Sequence, residues 1–428
     1  MATLPLTGGD KSAPWSDLTP CSEKSRLEPA SLREPVDDPK ASLMRYDVVI
    51  VGAGPAGAVL AYLLAKTGAE VLLLEKELFP RYKACGGGLT QRALDSLPFE
   101  VDEVIEERVY TVKTFIRDEC AFELNLQRPV ISMVMRDRFD QFLVKKSLEA
   151  GVHFQEGTAF KHLSGKVEAL EVETSGGPVE TRFVVGADGV NSRVAKALGL
   201  PKADNVMKAL EAEVYLGDPE RLAEFKRSAH FCFGLVSKGY AWVFPKKDHL
   251  SIGVLSRAKT LNHLKRNLFS HLEAVGLGSP TEVKALRPHL VPYGSSSKRR
   301  LACERGLLVG DATGYVDPIT GEGISYAVQG AQIAARILQE ALKDGTRRLE
   351  EYTRVLGEEI ANDLSCARKC AGILYGFSNL SHRIIKAHGI SLANLHLEVV
   401  SGRMTYRDFY HRLLRLSKVL RILLAFSK

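Results

Sequence analysis

Long hydrophobic runs are missing from this chain of 428 residues, none reaching the ~18 uninterrupted apolar residues that a membrane-spanning helix needs. Cysteine is sparse as well. Its seven residues are odd in number and irregular in spacing, which excludes the disulfide framework of a small secreted domain, and no paired CxxC sets suggest zinc. Cys366 and Cys370 lie four apart in a helical pattern without companion ligands, so they read as core thiols and no metal is expected. Charge of one sign is not concentrated either: 58 basic against 51 acidic residues leave +7, too dilute to select nucleic acid, and none is expected as a partner. The opening segment lacks the apolar run of a signal peptide, and its scattered acids argue against a transit peptide, so a reducing, cytoplasmic setting is expected.

What is present is ordinary globular material, 45% hydrophobic and 25% charged, enough for two or three domain-sized units. Residues 1–44 are rich in Pro, Ser and charge without periodicity and read as a disordered leader, with Met44 as a second candidate start. From Tyr46 the pattern becomes an apolar run, a Gly-rich turn, a small-residue helix and a second apolar run, which is a βαβ unit. Strand-like runs follow, then a helix expected over Arg138 to Ala150, then further strands. Alternating runs between about 205 and 290 suit an inserted antiparallel sheet. The strand-and-turn pattern returns at GLLVGDATG, and the remainder is helical in pattern. The fold class is α/β: a Rossmann-type nucleotide-binding domain in two pieces (45–200 and 300–345), an inserted antiparallel-sheet substrate domain (201–299) and a helical C-terminal region (346–428).

Gly52, Gly54, Ala56 and Gly57 belong to a GxGxxG turn that directly follows the strand Asp47 to Val51. Such glycines serve a tight turn, close approach to a pyrophosphate and helix–strand packing, while the helix beyond points its positive end at the phosphates. Glu75 closes the next strand, where a carboxylate accepts both ribose hydroxyls and repels a 2′-phosphate. These residues fit NAD as well as FAD.

Two distant segments narrow the choice. VVGADGVNSRVAKALG runs from strand into Asp188 and a helix near Ser192, and LLVGDATG leads through Asp311 to a long helix opening near Gly323 and Ile324. The chain thereby resembles the p-hydroxybenzoate-hydroxylase-like flavoproteins, whose GxGxxG, DG and GD motifs occur in this order. The resemblance implies FAD, with Asp311 on the ribityl chain and the Ile324 helix end facing the flavin ring. It also implies cofactor contacts from Arg136, ahead of a helix, and from Ala159 in the loop GTAF.

PRYKACGGGLT carries three glycines behind Cys85, and Tyr240-Ala-Trp242-Val-Phe244-Pro245 places three aromatics on one strand face. Both segments resemble the geranylgeranyl reductase family over residues 46 to about 380, with Ala84 where many members have Pro. The resemblance implies that Cys85, Gly86 and Gly87 lie beside the isoalloxazine and that Tyr240, Trp242 and Phe244 line a prenyl pocket. It further implies hydride transfer from reduced FAD to an unpolarised alkene of a polyprenyl lipid or quinone, with the proton from Cys85, Tyr240 or an ordered water. Cys85 has an alternative reading as a small packing residue. The electron donor is either NAD(P)H or a ferredoxin-like protein. A flavin monooxygenase of the same fold and a non-catalytic prenyl carrier are the competing readings.

From Asp408 onward, Phe409, Leu413, Leu416, Leu420 and Leu423 share one helical face, and Arg412, Arg415 and Lys418 another. This basic amphipathic helix is expected either to lie on a membrane surface, suiting a lipid substrate, or to dock on its own protein.

Overall fold

The computed structural model describes residues 44–416, apart from 166–168, 204, 258–259, 278–281, 294–295, 297 and 346–348. Residues 1–43 of the expected leader and more than half of the C-terminal amphipathic segment, with Lys418, Leu420 and Leu423, lie outside the described residues.

The strands Arg45–Val51 and Val71–Leu74 are almost wholly buried apolar runs, as a parallel sheet covered on both faces requires. They sit at the centre of an eight-stranded sheet ordered Ala302–Cys303, Gly306–Leu308, Gly177–Gly186, Arg45–Val51, Val71–Leu74 and His153–Gln155. The pairings among the last five strands are parallel. A hairpin, Phe160–Gly165 with Leu170–Thr174, extends from the Gly177–Gly186 strand. The helix Pro55–Ala65 opens on a proline, whose fixed φ suits a first helical position, and it shares a core with the long helix Ile324–Asp344.

A second sheet has seven strands, in the order Glu282–Pro292, Val206–Tyr215, Leu250–Ser256, Gly239–Pro245, Ser228–Phe233, Thr111–Ile116 and Glu119–Asn125. Two of its strands precede residue 201, so the sheet reaches beyond the 201–299 range read from the sequence. It is also not purely antiparallel, because Ser228–Phe233 runs parallel to Thr111–Ile116. Alternation along the strands divides it: Leu210, Ala212, Ala241, Val243, Ile252 and Val254 face the helix Leu261–Ala274 through Leu264, Leu268 and Leu272. The opposite face carries Ala209, Tyr240, Trp242, Phe244 and Leu255.

The helix expected over Arg138 to Ala150 spans Arg136–Glu149 instead. Its start moves forward because Arg136 pairs with Asp140 one turn later, an i,i+4 bond that only a helical Arg136 makes. Beyond Ile324–Asp344 the described chain is helical in Glu350–Leu356, Asn362–Gly376, Ser378–Val400 and Tyr406–Leu416, with a single π turn at Gly357–Ala361. In the last of these helices Phe409 and Leu413 are buried against the protein itself. The described part of the amphipathic segment therefore docks on its own chain.

Candidate active site

The three glycines of the first turn have different duties. Gly52, at φ +107°, would set an added Cβ 2.4 Å from the Ala187 carbonyl oxygen, and one on Gly57 would lie 1.9 Å from the Gly52 oxygen. Gly54 differs: the nearest atom to its Cβ would be an Arg81 nitrogen 3.9 Å away, so this position keeps a gap open in front of the helix. The free N–H groups of the first helical turn give the gap its preference for anions.

Glu75 sits where expected, just past its strand and only 7% exposed. It accepts from Ala53 N (3.1 Å), from Glu77 N (3.2 Å) and from Arg81 Nε (3.2 Å), which ties the carboxylate to the turn. Arg81 reaches on to Asp140 at 2.9 Å, and Arg136 grips Asp140 through two bonds of 2.8 Å. Burial opposes charge on both partners. The attraction outweighs it, leaving the Arg136 guanidinium raised and the Asp140 carboxyl lowered from their ordinary values. Arg81 and Asp140 escaped the sequence reading because neither belongs to a motif.

The DG and GD turns close the site from two sides. Asp188 accepts from Ser192 Oγ (2.5 Å), Arg193 N (2.6 Å) and Val194 N (3.2 Å), so its carboxylate caps its own short helix, while Ala187 and Gly189 line the cavity. Gly310, at φ +62°, brings the second turn against the first, since a Cβ there would lie 3.0 Å from Ala56 Cβ. Asp311, Gly323 and Ile324 all line the cavity, and Asp311 lies 3.9 Å from Lys83 Nζ. Ala159 does not: its N–H donates to Ser175 Oγ, its carbonyl accepts from Ser175 N, and its neighbour Thr158 N donates to the Glu75 carbonyl, which places the loop beside the Glu75 strand end.

The cavity between the two sheets has a volume of about 480 Å³. One wall is the Cys85 loop. Added Cβ atoms would lie 2.9 Å from the Phe244 ring at Gly86 and 2.1 Å from the Val134 oxygen at Gly87, so the loop is clamped between the aromatic strand and the strand Ile131–Val134. Tyr240, Trp242 and Phe244 form the facing wall as alternation required. Trp242 lies over Gly253, where a Cβ would come within 2.0 Å of its ring, and its Nε1 donates to Ser251 Oγ at 3.4 Å. Tyr240 donates its hydroxyl to the Thr320 carbonyl, and burial raises its pKa further from neutrality. The space continues past Phe122, Leu124, Ile384 and Leu392 as an apolar passage.

A cluster of buried polar residues under the Cys85 loop was missed. Glu211 and Glu213 occupy the cavity face of the strand Val206–Tyr215, and Glu211 lines the cavity itself. Glu211 accepts from Cys85 N and from Ser251 Oγ (2.6 Å), and Lys246, wholly buried, donates to the Gly86 and Val134 carbonyls at 2.8 Å each. The alternation in ALEAEVY was a usable signal: two carboxylates on the same face of a strand in an otherwise apolar sheet.

Among the described residues no His, Cys, Asp and Glu group is placed to hold a metal, and no helix is long and apolar enough to cross a membrane. The FAD binding domain family model matches residues 45–356. Digeranylgeranylglycerophospholipid reductase 1 of Methanopyrus kandleri is 31% identical, over 77% of this chain and 91% of its own. The chloroplastic geranylgeranyl diphosphate reductase of Nicotiana tabacum is 28% identical, over 73% and 70%. A geranylgeranyl bacteriochlorophyll reductase-like protein from Thermoplasma acidophilum shares the fold with a TM-score of 0.72 at 21% identity, covering 87% of this chain and 100% of that one. Turns, carboxylate, glycine loop and aromatic wall thus meet in a chain that belongs to the geranylgeranyl reductase family of FAD-dependent oxidoreductases.

Proposed function

We propose that this protein saturates C=C bonds in the geranylgeranyl or other polyprenyl chain of a lipid or quinone, with FAD as its cofactor. The observation that carries the reading is the meeting of the Cys85 loop and the Tyr240–Trp242–Phe244 wall at the head of an apolar passage. FAD fits the site: Gly54 leaves room at the helix end for a pyrophosphate, Glu75 offers its remaining lone pairs to a ribose, and Asp311 and the Ile324 helix end border the same cavity. When bound and reduced, FAD supplies a hydride.

The chain itself does the rest. An isolated alkene is barely polarised, so positioning is the main lever, and Trp242 and Phe244 supply an apolar surface that holds a prenyl unit against the glycine loop. Arg136, buried and locked by Asp140, fixes the loop's surroundings beside Cys85. Tyr240 commits its hydroxyl proton to Thr320 and serves the wall rather than proton transfer. A long prenyl chain enters from a bilayer, and peripheral attachment at a membrane surface belongs to this reading.

Incubating anaerobically reduced holoprotein with a geranylgeranyl lipid tests it. The product should gain two hydrogens per double bond with no oxygen requirement. Oxygen-dependent hydroxylation without saturation would instead make it a monooxygenase.

A further inference from the structure

Saturating an alkene consumes a proton as well as a hydride, and Trp242, Phe244 and the passage beyond them offer no proton, so the proton needs its own way in. A series of polar groups, each within 3.5 Å of the next, runs from the surface to the cavity wall. Asp248, with a side chain 70% exposed, lies 2.7 Å from His249 Nδ1. His249 Nε2 is 2.9 Å from Glu213 Oε2, an ion-pair approach between two buried atoms that make no aligned hydrogen bond. On the other side of Glu213, the Tyr82 hydroxyl stands 3.2 Å from Oε1 and 3.5 Å from Glu211 Oε2. Glu211 ends the series at the cavity, bonded to the Cys85 amide.

Resting on the reductase reading, we propose that Glu211 protonates the alkene and is reprotonated from solvent through Tyr82, Glu213, His249 and Asp248. The balance closes. The hydride brings two electrons and one hydrogen to one alkene carbon, the Glu211 carboxyl gives its proton to the other, and the carboxylate left behind recovers a proton from water through the series. The reductant is the reduced cofactor, recharged by the external electron donor.

The surroundings of Glu211 suit an acid poised near neutrality. Burial and the like charge of Glu213 push its pKa up to about 7, against the opposing pull of Ser251, Lys246 and the Cys85 N–H. On the neighbouring strand Arg287 stands opposite Glu211 in register and is exposed. His249, although buried, is raised from its ordinary value by Glu213 and Asp248, which suits a proton carrier.

Two measurements test the assignment. Infrared difference spectra of oxidised holoprotein across a pH series should show a carboxyl band titrating near neutrality. Glu211→Gln should remove the band, and Glu213→Gln should shift its midpoint down by relieving the like charge. In anaerobic single turnover with a geranylgeranyl lipid, Glu211→Gln should slow flavin reoxidation about 100-fold and flatten the neutral limb of the pH profile. Its FAD absorbance and reduction by dithionite should match the wild type. Tyr82→Phe should leave the first turnover intact below neutrality and slow repeated ones, since only resupply is cut. A neutral-range band that survives in Glu211→Gln, or an unchanged rate and profile in that variant, would overturn the assignment. Should the wild type fail to saturate the lipid although its band titrates, the reductase reading fails and this role with it.

Discussion

Gly54 and Gly57 lie three residues apart in one turn and face opposite demands. An added methyl at Gly57 strikes the Gly52 carbonyl, while one at Gly54 meets only an Arg81 nitrogen at 3.9 Å. Gly57→Ala should therefore destabilise the apoprotein by about 1–3 kcal/mol. Gly54→Ala should leave apoprotein melting almost unchanged and weaken FAD binding, as a flavin fluorescence titration would show; equal losses at both positions would contradict the assignment of Gly54 to the phosphates. Glu211 makes a thermodynamic prediction at the same scale. Its raised pKa means that, between its ordinary value of 4.5 and about 7, the folded chain keeps a proton that the unfolded chain has released. Stability from this group is complete below that window and falls as pH rises through it, by at most about 1.4 kcal/mol per pH unit. Glu211→Gln should flatten that part of the stability–pH curve in denaturant titrations; an unchanged slope would place the titration elsewhere.

At the scale of elements, the helix Arg136–Glu149 is anchored by the site rather than by its apolar face alone. Asp140 holds both Arg136 and Arg81, and Arg81 in turn holds Glu75. Asp140→Asn would leave two buried guanidinium groups short of countercharge and should cost about 3–5 kcal/mol by chemical denaturation, with FAD released early in the transition. The strand Gly239–Pro245 has its own test. Trp242→Ala should depress turnover of long prenyl chains at least tenfold while retaining most bound FAD, because its ring faces the cavity from the substrate wall. Equal loss of cofactor and turnover would assign Trp242 to the core instead. Alternation made that wall legible in advance, since a period of two fixes which side chains share a face. The start of the Arg136 helix was displaced by two residues because the buried i,i+4 grip of Arg136 on Asp140 adds to the first turn what the apolar pattern does not show.

Across the whole molecule, contiguous motifs were readable and assembled clusters were not. The GxGxxG turn, the GD turn and the Cys85 loop each lie in one stretch, and folding brings all three to one cavity, with Glu75 tied to the first turn through Ala53 N. The Glu211 cluster draws on Tyr82 and Cys85 from one loop and on Lys246 and His249 from another, far apart in the chain, and only the packing of the Cys85 loop on the second sheet joins them. The strands within 111–125 were legible as strands, but their membership in the second sheet depends on a parallel pairing that no local pattern announces. The C-terminal helix carried two readings at once, because an apolar stripe is the same whether lipid or protein covers it. In the described residues protein covers it at Phe409 and Leu413.

The central claim is that one cavity brings a reduced flavin and a prenyl alkene within reach of each other. Holoprotein photoreduced without oxygen and titrated with a geranylgeranyl lipid puts it to the test. Oxidised-flavin absorbance should return in step with the lipid added, one flavin for each double bond lost. Flavin that stays bleached in the presence of excess lipid and recovers its colour only when air is admitted would contradict the account.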